Sequence, residues 1–249
     1  MNSTVYEQLV KNRGYFKGSL SSSSDLSCLR SCAVEHFSRR LGFQLSYSDL
    51  IDSPYLSRMS SLSMIGRTLE RDACEYLCGK QWMTDLMDLF DMRPIDAYGL
   101  GYPSLTLRLT RPFEGGDIRP VHKDYWFWEV ANRPRIVDRY LPKCIQSIKL
   151  WIALEIENGL SGIMVSPYSQ LELFTPRYET IFKDNIRKPS ILESDIESLD
   201  LSIVPMNSGD YIVFGEELVH GGALNRSTKS RISIEVAFAS ERQNYWTVL

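Results

Sequence analysis

Beyond residue 97 the chain reads as a succession of short segments with a two-residue hydrophobic period, and that pattern restricts its fold more than any other feature. Leu105–Thr110 alternates apolar and polar side chains, and Ser147–Leu154 does much the same. Gly162–Val165, Ile203–Pro205, Asp210–Phe214 and Arg231–Phe238 complete the set. Successive side chains of a strand face opposite sides, so this alternation marks strands with one buried face. Turn formers separate them at Glu114-Gly115-Gly116-Asp117, Glu157-Asn158-Gly159 and Asn207-Ser208-Gly209-Asp210. Many short strands with few helices between them predict a sandwich or jelly roll. The charged stretch 176–201 shows no strand pattern and reads as a lid-like insertion.

The first 94 residues have a different texture. Leu26, Leu29, Val34 and Phe37 form a helical stripe within Asp25–Leu41, opened by the Ser21–Ser24 run and ended by Gly42. Further helices are predicted from Tyr47 to before Pro54, over Leu62–Cys78 and over Trp82–Met92. The expected class is α+β: one domain over residues 1–249, with helices from 1–94 packed on a jelly-roll core from 95–249.

Charge and composition narrow the function. A net charge of −3 with 24% charged residues gives no reason to expect nucleic acid or an anionic membrane as partner. No run of 18 apolar residues predicts a membrane span, and the first residues lack a secretory pattern. Five cysteines, an odd number, favour a reducing, cytoplasmic setting. Cys28/Cys32 and Cys74/Cys78 are each spaced i,i+4. Four thiolates can hold zinc, but apolar neighbours such as Leu29, Ala33 and Leu77 favour cysteines buried on helix faces. His36, on the first of these helices, reads as a surface or capping residue.

Chemistry concentrates at Pro120-Val121-His122-Lys123-Asp124, which holds one of only three histidines. On a strand, His122 and Asp124 project from the same face. With His220, after the segment ending at Phe214, they make two imidazoles and one carboxylate, the ligand set of non-haem iron(II) oxygenases. Such a set leaves coordination positions open for a 2-oxo acid and O2. The HxD pattern alone has little specificity: His122 also reads as a loop histidine, and His220 as a polar strand end. Arg231 adds weight, because it stands in an otherwise apolar strand beside Ile232 and Ile234. A buried arginine needs an anion, and the distal carboxylate of 2-oxoglutarate suits a guanidinium fork. Ser233, on the same face, can donate a further hydrogen bond. The plainer alternative is an Arg231–Glu235 pair on a solvated face.

These motifs resemble the phytanoyl-CoA dioxygenase family. The resemblance rests on His122-Lys123-Asp124, Leu150–Glu155, Asn158-Gly159, Gly162–Pro167, the block Met206–Phe214, His220-Gly221-Gly222, Asn225 and the position of Arg231. It covers about residues 97–240 and implies a double-stranded β-helix (cupin-like) fold, Fe(II), 2-oxoglutarate and O2. It also implies that Trp151 lines the 2-oxoglutarate pocket. The family usually has glutamine where Lys123 stands, and a Pro-Gly-Ser/Thr-His turn where this chain has Ser166–Gln170. Related halogenases replace the carboxylate with a small residue, so Asp124 favours hydroxylation or another oxidative outcome over halogenation.

The expected activity is oxidation of a C–H bond in a small-molecule metabolite. Trp126, Lys123 and Arg119 are the candidate substrate residues, with Tyr125, Phe127 and Trp128 completing an aromatic run. Arg108 and Lys149 fit an anionic group or ordinary solvated charges equally well, as do Arg133, Arg135 and Arg139. Two competing readings are a jelly-roll metalloprotein with non-oxidative, isomerase-like chemistry and a non-catalytic binding module. The first has no use for Arg231 and Trp151; the second usually loses a ligand, and none is missing here.

Overall fold

The computed structural model describes residues 3–127, 147–171, 176–183 and 186–239. Helix α1 (Ser3–Val10) and strand β1 (Tyr15–Ser19) precede the long helix α2 (Ser23–Leu41). Short helices α3 (Tyr47–Ile51) and α4 (Leu56–Ser60), then α5 (Arg71–Cys78) and α6 (Gln81–Phe90), complete the helical part. The β part comprises β2 (Arg93–Pro94), β3 (Leu105–Thr110), β4 (Ser147–Glu155), β5 (Ile163–Val165), β6 (Tyr178–Lys183) and β7 (Ile186–Ile191). After helix α7 (Glu193–Ile196) come β8 (Ser202–Ile203), β9 (Asp210–Gly215), β10 (His220–Gly222) and β11 (Arg231–Ala239).

The larger sheet runs β1-β9-β4-β11-β2, with β3 also paired to β11, and the smaller runs β10-β5-β8. Every pairing is antiparallel. Together they form the two sheets of the double-stranded β-helix that the strand pattern and motifs imply. Alternation sorts the side chains of the larger sheet. Leu105, Leu107, Leu150, Ile152, Ile232, Ile234 and Phe238 join one core with Leu29, Ala33 and Phe37 of α2. Trp151, Ala153, Ile212 and Phe214 pack in a second core with Ile163 and Val165 of the smaller sheet. The helices therefore cover the outer face of the larger sheet, and its inner face looks toward the smaller one.

Helix α2 has the ends its sequence promises. The Ser22 side chain accepts from the Ser24 N–H at 3.0 Å, and Gly42 closes the helix in the left-handed conformation, its N–H donating to the Ser38 carbonyl. Arg30 ties this helix to the sheet, donating to the Leu154 carbonyl at 2.8 Å and to Glu155 at 3.0 Å.

Several elements differ from the sequence expectation. Leu62–Cys78 is not one helix: a 3-10 turn at Ile65–Arg67 interrupts it. Thr68 then bridges Thr106, and the Leu69 N–H donates to the Leu105 carbonyl at 2.9 Å. The edge of β3 has backbone groups to satisfy there, and an extended segment satisfies them where a helix cannot. Residues 15–19, within the part read as helical, form an edge strand against β9. The stretch read as patternless contains the β6–β7 hairpin. His36 is buried rather than superficial, with Nδ1 3.0 Å from Glu70 and Nε2 3.0 Å from the Gly66 carbonyl. Cys74 is buried and Cys28, Cys32 and Cys78 are half-buried free thiols. Among the described residues they form no metal-ligating group. No helix there is long and apolar enough to cross a membrane. Trp128, Arg133, Arg135 and Arg139 lie outside the described residues.

Phe37 is fully buried between α2 and the larger sheet. Phe37→Ala should cost about 3–5 kcal/mol of folding stability; urea unfolding followed by circular dichroism measures it.

Candidate active site

Backbone pairing creates the site. His122 and His220 face each other across an antiparallel bridge, each N–H donating to the other's carbonyl at 2.9 Å. Gly221 permits the approach, since a Cβ there would lie 3.2 Å from Val121 Cγ2 and 3.3 Å from its Cα. The imidazole centroids stand 4.4 Å apart. Phe127 packs edge-on against His122 at 5.0 Å, and Phe214 tilts against His220 at 4.4 Å.

Both rings are oriented by their own backbone. His122 Nδ1 lies 2.7 Å from the Pro120 carbonyl and His220 Nδ1 lies 2.9 Å from that of Leu218. A carbonyl only accepts, so each Nδ1 carries the proton and each Nε2 lone pair is free. Asp124 Oδ1 is 3.4 Å from His122 Nε2 and 3.7 Å from His220 Nε2. Ligand atoms of the three residues lie within 4.8 Å of one another. His122 Nε2 is buried with no hydrogen-bond partner. An orphaned, properly directed lone pair beside a carboxylate fits a divalent cation.

Electrostatics reinforce that fit. Burial opposes charge on Asp124, but Lys149 and the two histidines outweigh it and hold the carboxyl well below its usual range. Lys149 Nζ sits 3.3 Å from Asp124 Oδ2, leaving Oδ1 toward the imidazoles. Burial, helped by His122, pushes His220 down to about 4, so its ring is neutral near pH 7.

The three residues border a cavity of 490 Å³ that also reaches Arg231, Trp151, Phe214 and Ile163. This size accommodates a small metabolite. Arg231 is buried, with Nη1 donating to the Gly162 carbonyl and Nη2 to Thr110 Oγ1 at 2.7 Å. Its Nε has no partner, and among the described residues it makes no ion pair. Burial lowers this guanidinium to about 10. Glu235 pairs instead with Arg108 at 2.8 Å, so the surface Arg231–Glu235 pair does not form. Gly222 lies beside the arginine; a Cβ there would be 3.6 Å from Nη2. Trp151 forms the adjoining wall, with Arg231 Cζ 5.9 Å from its ring.

The other candidates divide. Arg119 lines the cavity. Ser233 is fully buried with an unpartnered Oγ, but the cavity wall does not include it. Trp126 turns away from the cavity, stacking on Tyr178 at 4.6 Å in a cluster with Ile191 and Val219. Lys123 also points elsewhere, to Glu217 at 3.6 Å. Next to the bridge, alternation sends position 123 away from the side that His122 and Asp124 share.

Some roles and residues escaped sequence reasoning. By sequence Lys149 fits an anionic group or a solvated charge, not the partner of Asp124 that it is; it precedes Trp151 by two on one strand, a period-two signal that could have placed it in the site. Met64 and Arg67 carried no such signal, because their segment reads as helix.

The sequence profile described as phytanoyl-CoA dioxygenase (PhyH) matches residues 57–233, well over half of the chain. The chain belongs to the phytanoyl-CoA dioxygenase family. As a member it is a non-haem iron(II)/2-oxoglutarate-dependent oxygenase. Similar solved structures agree in fold. AviO1 from Streptomyces viridochromogenes Tue57 superposes with a TM-score of 0.57 at 16% identity, covering 97% of this chain and 96% of that one. EctD from S. alaskensis, with 2-oxoglutarate and 5-hydroxyectoine, gives 0.59 at 14% identity over 96% of this chain and 76% of that one. SnoK, a non-heme alpha-ketoglutarate-dependent carbocyclase from nogalamycin biosynthesis, gives 0.52 at 15% over 96% and 84%. No curated protein matches the chain.

Titration of His220 has a consequence for the metal-free protein. Its folded value of about 4 lies below the ordinary histidine value of 6.5, so below that value the unfolded chain binds the proton first. Stability should be fully present above about pH 6.5 and fall as pH drops toward about 4. His220→Gln should flatten that limb in urea titrations across the range.

Proposed function

We propose that this protein hydroxylates a C–H bond of a small-molecule metabolite, with His122, Asp124 and His220 as its iron(II) ligands and Arg231 as the seat of 2-oxoglutarate. The observation that carries this reading is one cavity bordered at once by three converging ligand groups and by a buried arginine without a carboxylate partner. Bound iron(II) supplies the oxidising chemistry, in which R–H, 2-oxoglutarate and O2 become R–OH, succinate and CO2.

The chain's own residues prepare that reaction. The Pro120 and Leu218 carbonyls hold both imidazoles in the tautomer that ligates through Nε2. Lys149 keeps Asp124 ionised and aimed. Arg231, positioned by Gly162 and Thr110, pairs with the distal carboxylate of 2-oxoglutarate. Trp151, Phe214 and Ile163 form apolar wall that keeps water from the bound cosubstrate. A carboxylate at position 124 leaves no ligand site for halide, which supports hydroxylation over halogenation.

Two measurements test this. His122→Ala and Asp124→Ala should each abolish succinate formation and weaken manganese(II) binding at least about tenfold, the cost of losing a directly bound ligand; retention of both overturns the ligand assignment. Arg231→Ala should weaken 2-oxoglutarate about 10- to 100-fold by calorimetry while metal affinity stays. Unchanged 2-oxoglutarate affinity would remove Arg231 from that role.

A further inference from the structure

Three guanidiniums meet at one point of the cavity wall. Arg67 Nη2 lies 3.6 Å, Arg108 Nη1 2.7 Å and Arg119 Nη2 2.6 Å from the sulfur of Met64. They arrive from three places: the 3-10 turn after α4, strand β3 and the segment leading into His122. A thioether sulfur is only a weak hydrogen-bond acceptor. The atom at the point of convergence is thus poorly matched to the donors around it.

The charges do not balance either. Arg108 is neutralised by Glu235, and Lys149 by Asp124. Among the described residues no carboxylate lies within 4.0 Å of Arg67 or Arg119. The Nε atoms of Arg67 and Arg108 are buried without hydrogen-bond partners. Burial and then Arg108 lower the affinity of both Arg67 and Arg119 for their protons. Gathering like charges in a buried wall costs free energy that only an anion recovers. Arg231 is set apart from this group by its own partners, Gly162 and Thr110.

We infer that the substrate carries a phosphate-like dianion, a phosphate monoester or phosphonate, seated on Arg67, Arg108 and Arg119 in place of the Met64 sulfur. Two uncompensated cations match a dianion. Three donors converging from separate elements suit a tetrahedral group with three oxygens better than a planar carboxylate, which a single fork saturates. Ser57 and Ser63, near Met64 in the chain, also line the cavity and carry hydroxyls. Arg119 leads directly into His122, so an anion held there places the substrate's neighbouring carbon atoms toward the triad. This substrate class rests on the oxygenase reading; the anion seat itself does not.

The test is calorimetric titration of the full chain, with manganese(II) in place of iron and saturating 2-oxoglutarate, using inorganic phosphate as probe. Saturable binding below about 1 mM is expected, at least about tenfold tighter than acetate. Arg67→Gln and Arg119→Gln should each weaken phosphate about tenfold or more, with 2-oxoglutarate affinity within about threefold of wild type. Met64→Ala frees the point of convergence and should tighten phosphate, a gain that misfolding cannot mimic. The inference is overturned if phosphate shows no saturable binding, if acetate binds as tightly, or if Met64→Ala weakens phosphate. It is also overturned if both arginine variants keep phosphate affinity while circular dichroism shows them folded, or if both lose 2-oxoglutarate in parallel, which would make this cluster the cosubstrate's seat. Failure of the oxygenase reading has a separate signature: wild type with manganese(II) binds phosphate but not 2-oxoglutarate.

Discussion

The reciprocal pair of backbone hydrogen bonds between His122 and His220 is the constraint on which the site depends. Two residues far apart in sequence are locked opposite each other, and their side chains follow. The bridge continues the smaller sheet, in which His220 also pairs with Val165. Gly221 keeps the bridge thin enough for Val121 to approach. Asp124 needs no long-range device of its own: two positions beyond His122, it enters the same space. A side chain added at Gly221 meets Val121, next to His122, and so presses on the bridge that holds the two histidines.

Around this bridge the protein buries an unusual amount of charge, and the pairing pattern is selective. Asp124 and Glu235 each receive a cation, Lys149 and Arg108 respectively. Among the described residues Arg231 receives only neutral oxygens, and Arg67 and Arg119 only a thioether. Buried ion pairs contribute little net stability even when complete, and incomplete ones cost. The molecule tolerates that cost at two separate places in one cavity. The two anions proposed above, a slender dicarboxylate at Arg231 and a compact tetrahedral group at Arg67 and Arg119, would offset it at both.

Much of the architecture was legible because period-two alternation is a direct record of a sheet with two different faces. Leu105–Thr110 and Arg231–Phe238 show it, and both pair as strands. Where backbone pairing overrides propensity, the record is lost. Residues 15–19 look helical in context but cover the edge of β9, and Thr68 leaves a helical pattern to bridge Thr106. Trp126 and Lys123 looked like substrate residues because they adjoin Asp124; nearness in sequence says nothing about which side of a turn a side chain takes, and both face other partners.

The sequence by itself determined the α+β class, the alternating strands such as Leu105–Thr110 and Arg231–Phe238, the candidate residues His122, Asp124 and His220 and the anomalous Arg231, because residue type and local alternation carry each of them. Only the tertiary structure decided that Lys149 serves Asp124, that Glu235 belongs to Arg108, and that Arg67 and Arg119 share one unneutralised point at Met64. Those are relations between elements distant in the chain. Their energy comes from distance and burial in three dimensions, quantities that no local pattern of residues encodes.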